Sequence, residues 1–81
     1  MFNKINKVTP KNNLIIVVEF ENGVTKEYDI KKIIDKWEIF KQLYDYNLFK
    51  MVQVDSGGAG ISWNENIDLS SEEIWENGVE I

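Results

Sequence analysis

The chain has 81 residues and contains no cysteine, no histidine and no arginine. Without cysteine there is no disulfide, thiol nucleophile or thiolate metal ligand. Without histidine the commonest metal ligand is missing, and so is the one side chain that titrates near neutrality. Without arginine no planar guanidinium can clamp a phosphate, and every cation is a lysine. Proline occurs once, at Pro10, and no base follows Lys50. The longest apolar run, Leu14–Val18, has five residues, which suits a buried strand and falls far short of the ~20 residues of a membrane-spanning helix. Met1–Pro10 carries two lysines among isolated apolar residues, the pattern of neither a signal peptide nor a span. A chain without cysteine fits a reducing compartment, and the expected location is cytoplasmic.

What remains is enough for one folded unit over residues 1–81. Apolar residues make up 43%, charged residues 28%, and aromatic residues 12% of the chain, a composition that buries one core and does not read as disordered. The net charge of −5 is unevenly placed. Residues 1–50 hold all nine lysines and seven acids, whereas residues 51–81 hold seven acids and no base. Nucleic-acid binding rests on neutralising phosphates, so this balance argues against it. The acidic half is a solvated surface or a docking face for a basic protein.

Strand periodicity dominates the first half. Lys4–Thr9 alternates weakly and reads as a first strand, closed by a turn over Pro10–Asn13. Leu14–Glu21 places Ile16, Val18 and Phe20 on one face. A loop of Glu21, Asn22 and Gly23 would pair Phe20 with Val24 and Ile16 with Tyr28, matching apolar faces where a two-residue loop would not. Asp29 is placed to cap a helix opening at Ile30. Ile30, Ile33, Ile34, Trp37, Phe40, Leu43 and Tyr44 then form one apolar stripe, as one helix of about four turns or two short ones breaking near Trp37–Glu38. Leu48–Val54 and Ala59–Trp63 read as a second hairpin with Val54 opposite Ala59. Ser70 and Glu73 have capping-box spacing for a last short helix, which carries Ile74 and Trp75 inward and ends at Asn77-Gly78. The fold class expected is α+β: an antiparallel meander of three strands, helical segments, a second β-hairpin and a short C-terminal helix.

No constellation here carries recognisable catalysis. Asp55-Ser56-Gly57-Gly58-Ala59-Gly60 begins like a calcium loop, but Gly57 and Ala59 stand where ligands are needed and Asn66 where a bidentate Glu is needed. It lacks the ending of a phosphate loop as well. Asp68, Glu65, Glu72 and Glu73 form the densest acid cluster, with no nucleophile beside it, and capping of the last helix accounts for Asp68 and Glu73. No catalytic residue, metal ligand or cofactor is expected. Trp63 and Trp75 are read as core residues. Trp37, between Lys36 and Glu38, is read first as closing the helix stripe onto the sheet and second as an exposed interface anchor. The first strand, or the outer strand of the second hairpin, would leave an open sheet edge where a partner strand could add.

The chain resembles a small bacterial family known as domain of unknown function 2442. The resemblance rests on Val8-Thr9-Pro10, Leu14–Phe20 with Asn22-Gly23, Tyr28-Asp29-Ile30, Phe40-Lys41-Gln42-Leu43, Leu48-Phe49 and Val52-Gln53-Val54. Its most specific stretch is Ile61-Ser62-Trp63 followed by Ile67-Asp68-Leu69-Ser70. Asn64, Asn66 and Ser71 stand where the family usually has Pro, Gly and Pro, and Ile74-Trp75 where it has Leu-Tyr. The resemblance implies a curved antiparallel sheet with short helices, and a role as the antitoxin-like partner of a small toxin-like protein. The function expected is therefore a non-enzymatic interaction module that meets a basic partner through Trp37, Asp55, Glu65, Asp68, Glu72 and Glu76. An accessory role in nucleic-acid-linked regulation is the alternative, and a carboxylate-based enzyme the third reading. The sequence is compatible with self-association, and no membrane contact is expected.

Overall fold

Ile16, Val18 and Phe20 alternate with Ile15, Val17 and Glu19, the period-two pattern of a strand covered on one face. In the computed structural model, which describes residues 2–81, this segment is β2 (Ile15–Phe20), lying between β1 (Ile5–Pro10) and β3 (Thr25–Asp29). The three-residue loop closes as the matched faces require. Ile16 lies opposite Tyr28, Phe20 N donates to Val24 O at 2.8 Å, and Gly23 N donates to Phe20 O at 3.0 Å. Gly23 has φ +93°, a left-handed conformation that a side chain would disfavour. The turn before β2 runs one residue further than expected, with Asn13 and Leu14 both at positive φ.

The apolar stripe breaks into short pieces. Asp29 Oδ1 accepts from Lys31 N at 2.9 Å, but the helix there is a single turn, α1 (Lys31–Ile34), whose N-cap is Ile30 with no side-chain cap, in place of the expected start at Ile30 capped by Asp29. Trp37 is extended, and Glu38–Tyr44 winds as a 3₁₀-helix. With three residues per turn, Phe40 and Leu43 stay on the buried side while Tyr44 is turned out to solvent. Asp45 is extended as well, and its carboxylate accepts from Asn47 N at 3.0 Å, opening α2 (Tyr46–Phe49). Leu48 and Phe49 are therefore helical, not the start of a strand. Only Gln53–Val54 (β4) of the expected strand is extended.

The second sheet has the order β4-β5-β6, with β5 at Gly60–Ser62 and β6 at Asp68–Ser70. Its hairpin register differs from the expected one: Val54 faces Ile61, and Ala59 falls in the loop. The loop is longer because Ser56–Gly58 makes a 3₁₀ turn, closed where Asp55 N donates to Gly60 O at 2.9 Å. Gly58, at φ +73°, lies against β1. A Cβ there would sit 2.7 Å from the Ile5 carbonyl oxygen. This contact ties the second hairpin to the edge of the first sheet.

Ser70 Oγ accepts from Glu73 N at 3.2 Å and caps α3 (Ser71–Asn77), which ends as Gly78 N donates to Ile74 O. The chain then adds β7 (Val79–Glu80) to β3, a strand too short to show in the sequence pattern. The larger sheet has the order β1-β2-β3-β7. One core cluster joins both sheets and the helical pieces, including Ile16, Tyr28, Leu43, Phe49, Ile61 and Ile74. Trp63 is buried, with its Nε1 donating to Phe49 O at 3.0 Å. Trp75 is half-buried, edge-on to Phe20, with the Lys26 ammonium 4.5 Å from its ring centroid. Among the described residues, no helix is long and apolar enough to cross a membrane.

Candidate functional site

The break at Trp37 has a consequence for the surface. A continuous helix would have turned this indole inward with the rest of the stripe. The extended residue instead leaves it 50% exposed, beside Ile39 at 37%. Phe40 lies beneath, with its ring 6.2 Å from that of Trp37 and edge-on to buried Trp63. Alternation along β6 buries Leu69 and leaves Asp68 and Ser70 exposed. These two faces, with Asn66 before β6 and Glu73 on α3, enclose an open cleft of about 370 Å³. Its floor is apolar and its rim carries two carboxylates.

The rim is not neutralised by any ion pair among the described residues. The ion pairs among the described residues are Lys4–Glu21, Lys31–Asp29 and Lys41–Glu38, and each uses an acid of the first half. The Asp68 carboxylate has no hydrogen-bond or ion-pair partner among the described residues, although its backbone pairs with Ser62. Glu73 Oε2 accepts from Tyr28 Oη at 2.8 Å and from Asn77 Nδ2 at 2.9 Å, while Oε1 has no such partner. Glu73 thus does not complete the capping box; its carboxylate is turned to Tyr28 and held at the rim. Burial of the Tyr28 hydroxyl raises its pKa well above the usual tyrosine range, and the hydrogen bond and charge of Glu73, then the charge of Asp29, push it the same way. Asp68 lies on β6 and makes no capping contact with α3, contrary to the expectation for it.

Of the six residues expected to meet a partner, the structure brings Trp37 and Asp68 together in this cleft. Asp55 lies elsewhere. Its Oδ1 accepts from Ser62 Oγ at 2.6 Å, and it lines a smaller cleft of about 220 Å³ on β6, which also includes Asp68. Glu65 is exposed in a turn organised by Asn64, whose Oδ1 accepts from Asn66 N and Ile67 N. Glu72 and Glu76 are exposed on α3 and line neither cleft. No three carboxylates among the described residues converge closely enough to hold a metal ion, so the acid cluster of the sequence is not a cluster in space. Trp37 is half-exposed, and the expectation that it closes the stripe onto the sheet is corrected. Ile39, Asn66, Ser70 and Glu73 were not expected at the site. For Ile39 the signal was present, because an isoleucine off the apolar stripe has no place in a core built on that stripe.

No curated protein and no solved structure matches the chain. The family model described as "Protein of unknown function (DUF2442)" matches residues 5–80, from β1 to the end of β7. The same span carries both sheets and both walls of the cleft, and the chain belongs to this family.

Proposed function

We propose that this chain is a cytoplasmic protein-interaction module that docks a basic protein on the Trp37–Asp68 cleft, as the antitoxin-like half of a small bacterial toxin–antitoxin-type pair. The observation that carries this reading is an indole left half-exposed over an apolar cleft whose rim acids have no cation partner among the described residues. Tryptophan is enriched among the few interface residues that supply most binding energy. Rim carboxylates attract a basic partner and exclude an acidic one. The lysines of the first half favour the same reading, since three sit in ion pairs and Lys26 is held at the Trp75 carbonyl and ring.

The test is co-purification with the tagged chain from its native host, comparing wild type with Trp37→Ala and Asp68→Lys. The expected result is one basic protein in stoichiometric amount with wild type and its loss with both variants. A partner retained by both variants, or salt-sensitive DNA or RNA binding in place of a protein, would overturn the reading.

A further inference from the structure

We infer that the cleft is an arginine-reading site: it takes one arginine side chain of a partner polypeptide, with the guanidinium on the Trp37 ring and forked to the Asp68 carboxylate. The inference rests on the docking function proposed above and names the group that is recognised. Three observations lead to it. Trp37 offers an exposed indole at the wall of the cleft, supported from behind by Phe40. Asp68 presents a carboxylate without an internal partner at the same cleft, and Glu73 Oε1 offers a further acceptor. The chain also seats one of its own cations on an indole, with the Lys26 ammonium 4.5 Å from the Trp75 ring centroid.

Arginine fits this combination better than lysine. A guanidinium is planar, so it stacks on an indole while its edge makes two parallel hydrogen bonds to a carboxylate. It is also more weakly hydrated than an ammonium and costs less to bring against an apolar floor. The chain itself has no arginine, so no segment of its own, and no second copy, can supply the group.

The experiment is an NMR titration of the full ¹⁵N-labelled chain with three blocked tripeptides, Ala-X-Ala, where X is arginine, lysine or citrulline. Citrulline keeps the shape of arginine and removes its charge. The arginine peptide is expected to shift the Trp37 indole N–H and the Asp68 and Leu69 amides saturably, leaving the Trp63 indole in place. The lysine and citrulline peptides are expected to bind about tenfold more weakly, and Asp68→Asn to weaken arginine binding by about the same factor, the loss of a charge-assisted pair. The Trp63 indole resonance reports whether that variant is folded. Equal arginine and citrulline affinities, shifts centred on Glu72 and Glu76, or no saturable shift up to about 10 mM would overturn the inference. A partner that needs Trp37 while the arginine peptide leaves the cleft unmoved would sink this inference alone. An arginine peptide that titrates the cleft while no protein depends on it would sink the docking function instead.

Discussion

Replacing Tyr28 by phenylalanine separates the support of the cleft rim from its floor. Tyr28 is buried at 1% exposure, and its hydroxyl donates to Glu73 Oε2 at 2.8 Å. A hydrogen bond to a charged acceptor contributes about 1.5–3 kcal/mol. Here Glu73 keeps Asn77 and solvent after the change, so the expected loss lies at the low end, about 1–2 kcal/mol. For a domain of this size that corresponds to a fall in Tm of roughly 4–16 °C. The pH dependence gives a second readout. The folded Tyr28 hydroxyl holds its proton more tightly than the unfolded one, so above pH ~10 the unfolded chain binds fewer protons and stability falls as pH rises. The stabilisation is fully present below the unfolded pKa and is lost as pH climbs towards the folded one, with a limiting slope of about 1.4 kcal/mol per pH unit. Urea unfolding of wild type and Tyr28→Phe between pH 7 and 11, read as ΔG at constant m, measures both effects. The wild type is expected to lose more stability than the variant above pH 10. Parallel curves for the two proteins, or a variant as stable as wild type at pH 7, would refute the assignment of the Tyr28–Glu73 contact.

Two further substitutions test how the sheets are joined. Gly57 and Gly58 both have positive φ, +81° and +73°, so alanine at either site brings a left-handed penalty of about 1 kcal/mol. At Gly57 a Cβ meets nothing within 4 Å, whereas at Gly58 it approaches the Ile5 carbonyl oxygen to 2.7 Å. Unfolding free energies from urea titration are therefore expected to fall by about 1–3 kcal/mol more for Gly58→Ala than for Gly57→Ala, the range for overpacking. Equal losses would mean that the loop does not bear on β1. Trp63→Phe removes the donor to the Phe49 carbonyl and leaves a void beside it. The expected loss is about 2–3 kcal/mol in the same assay, and a loss below about 0.5 kcal/mol, the usual range of surface changes, would contradict the burial of this indole.

The parts of the fold that the sequence reveals are those where one physical signal acts alone. The β2–β3 register follows from matching apolar faces. The N-terminus of α3 follows from Ser70, because a serine hydroxyl satisfies a free helix N–H. The sequence is ambiguous between Ile30 and Val54, where a stripe spaced for an α-helix also accommodates 3₁₀ turns through its i, i+3 members. Asp45 is the residue that decides there: it caps α2 and draws Leu48 and Phe49 out of a segment with strand-like composition. The Val54–Ala59 pairing failed for a similar reason. Two consecutive glycines permit left-handed turns that lengthen the loop, and no side-chain pattern records that choice. At the cleft, the acidic residues were visible in the sequence but their dispersal was not. β6 places Asp68 beside Trp37, while α3 presents Glu72 and Glu76 away from both clefts. Glu73 fits a capping box by spacing, yet Tyr28, 45 residues earlier, competes for its carboxylate.

Calorimetric titration of the co-purifying basic protein into wild-type and Trp37→Ala chains tests most directly whether the cleft is the docking face. Trp37 is half-exposed and contributes little to the core, so the variant is expected to keep the wild-type Tm. Its affinity is expected to fall about thirtyfold or more, the loss of an anchor contributing about 2 kcal/mol to the interface. An unchanged Kd in a variant with an unchanged Tm would contradict the account.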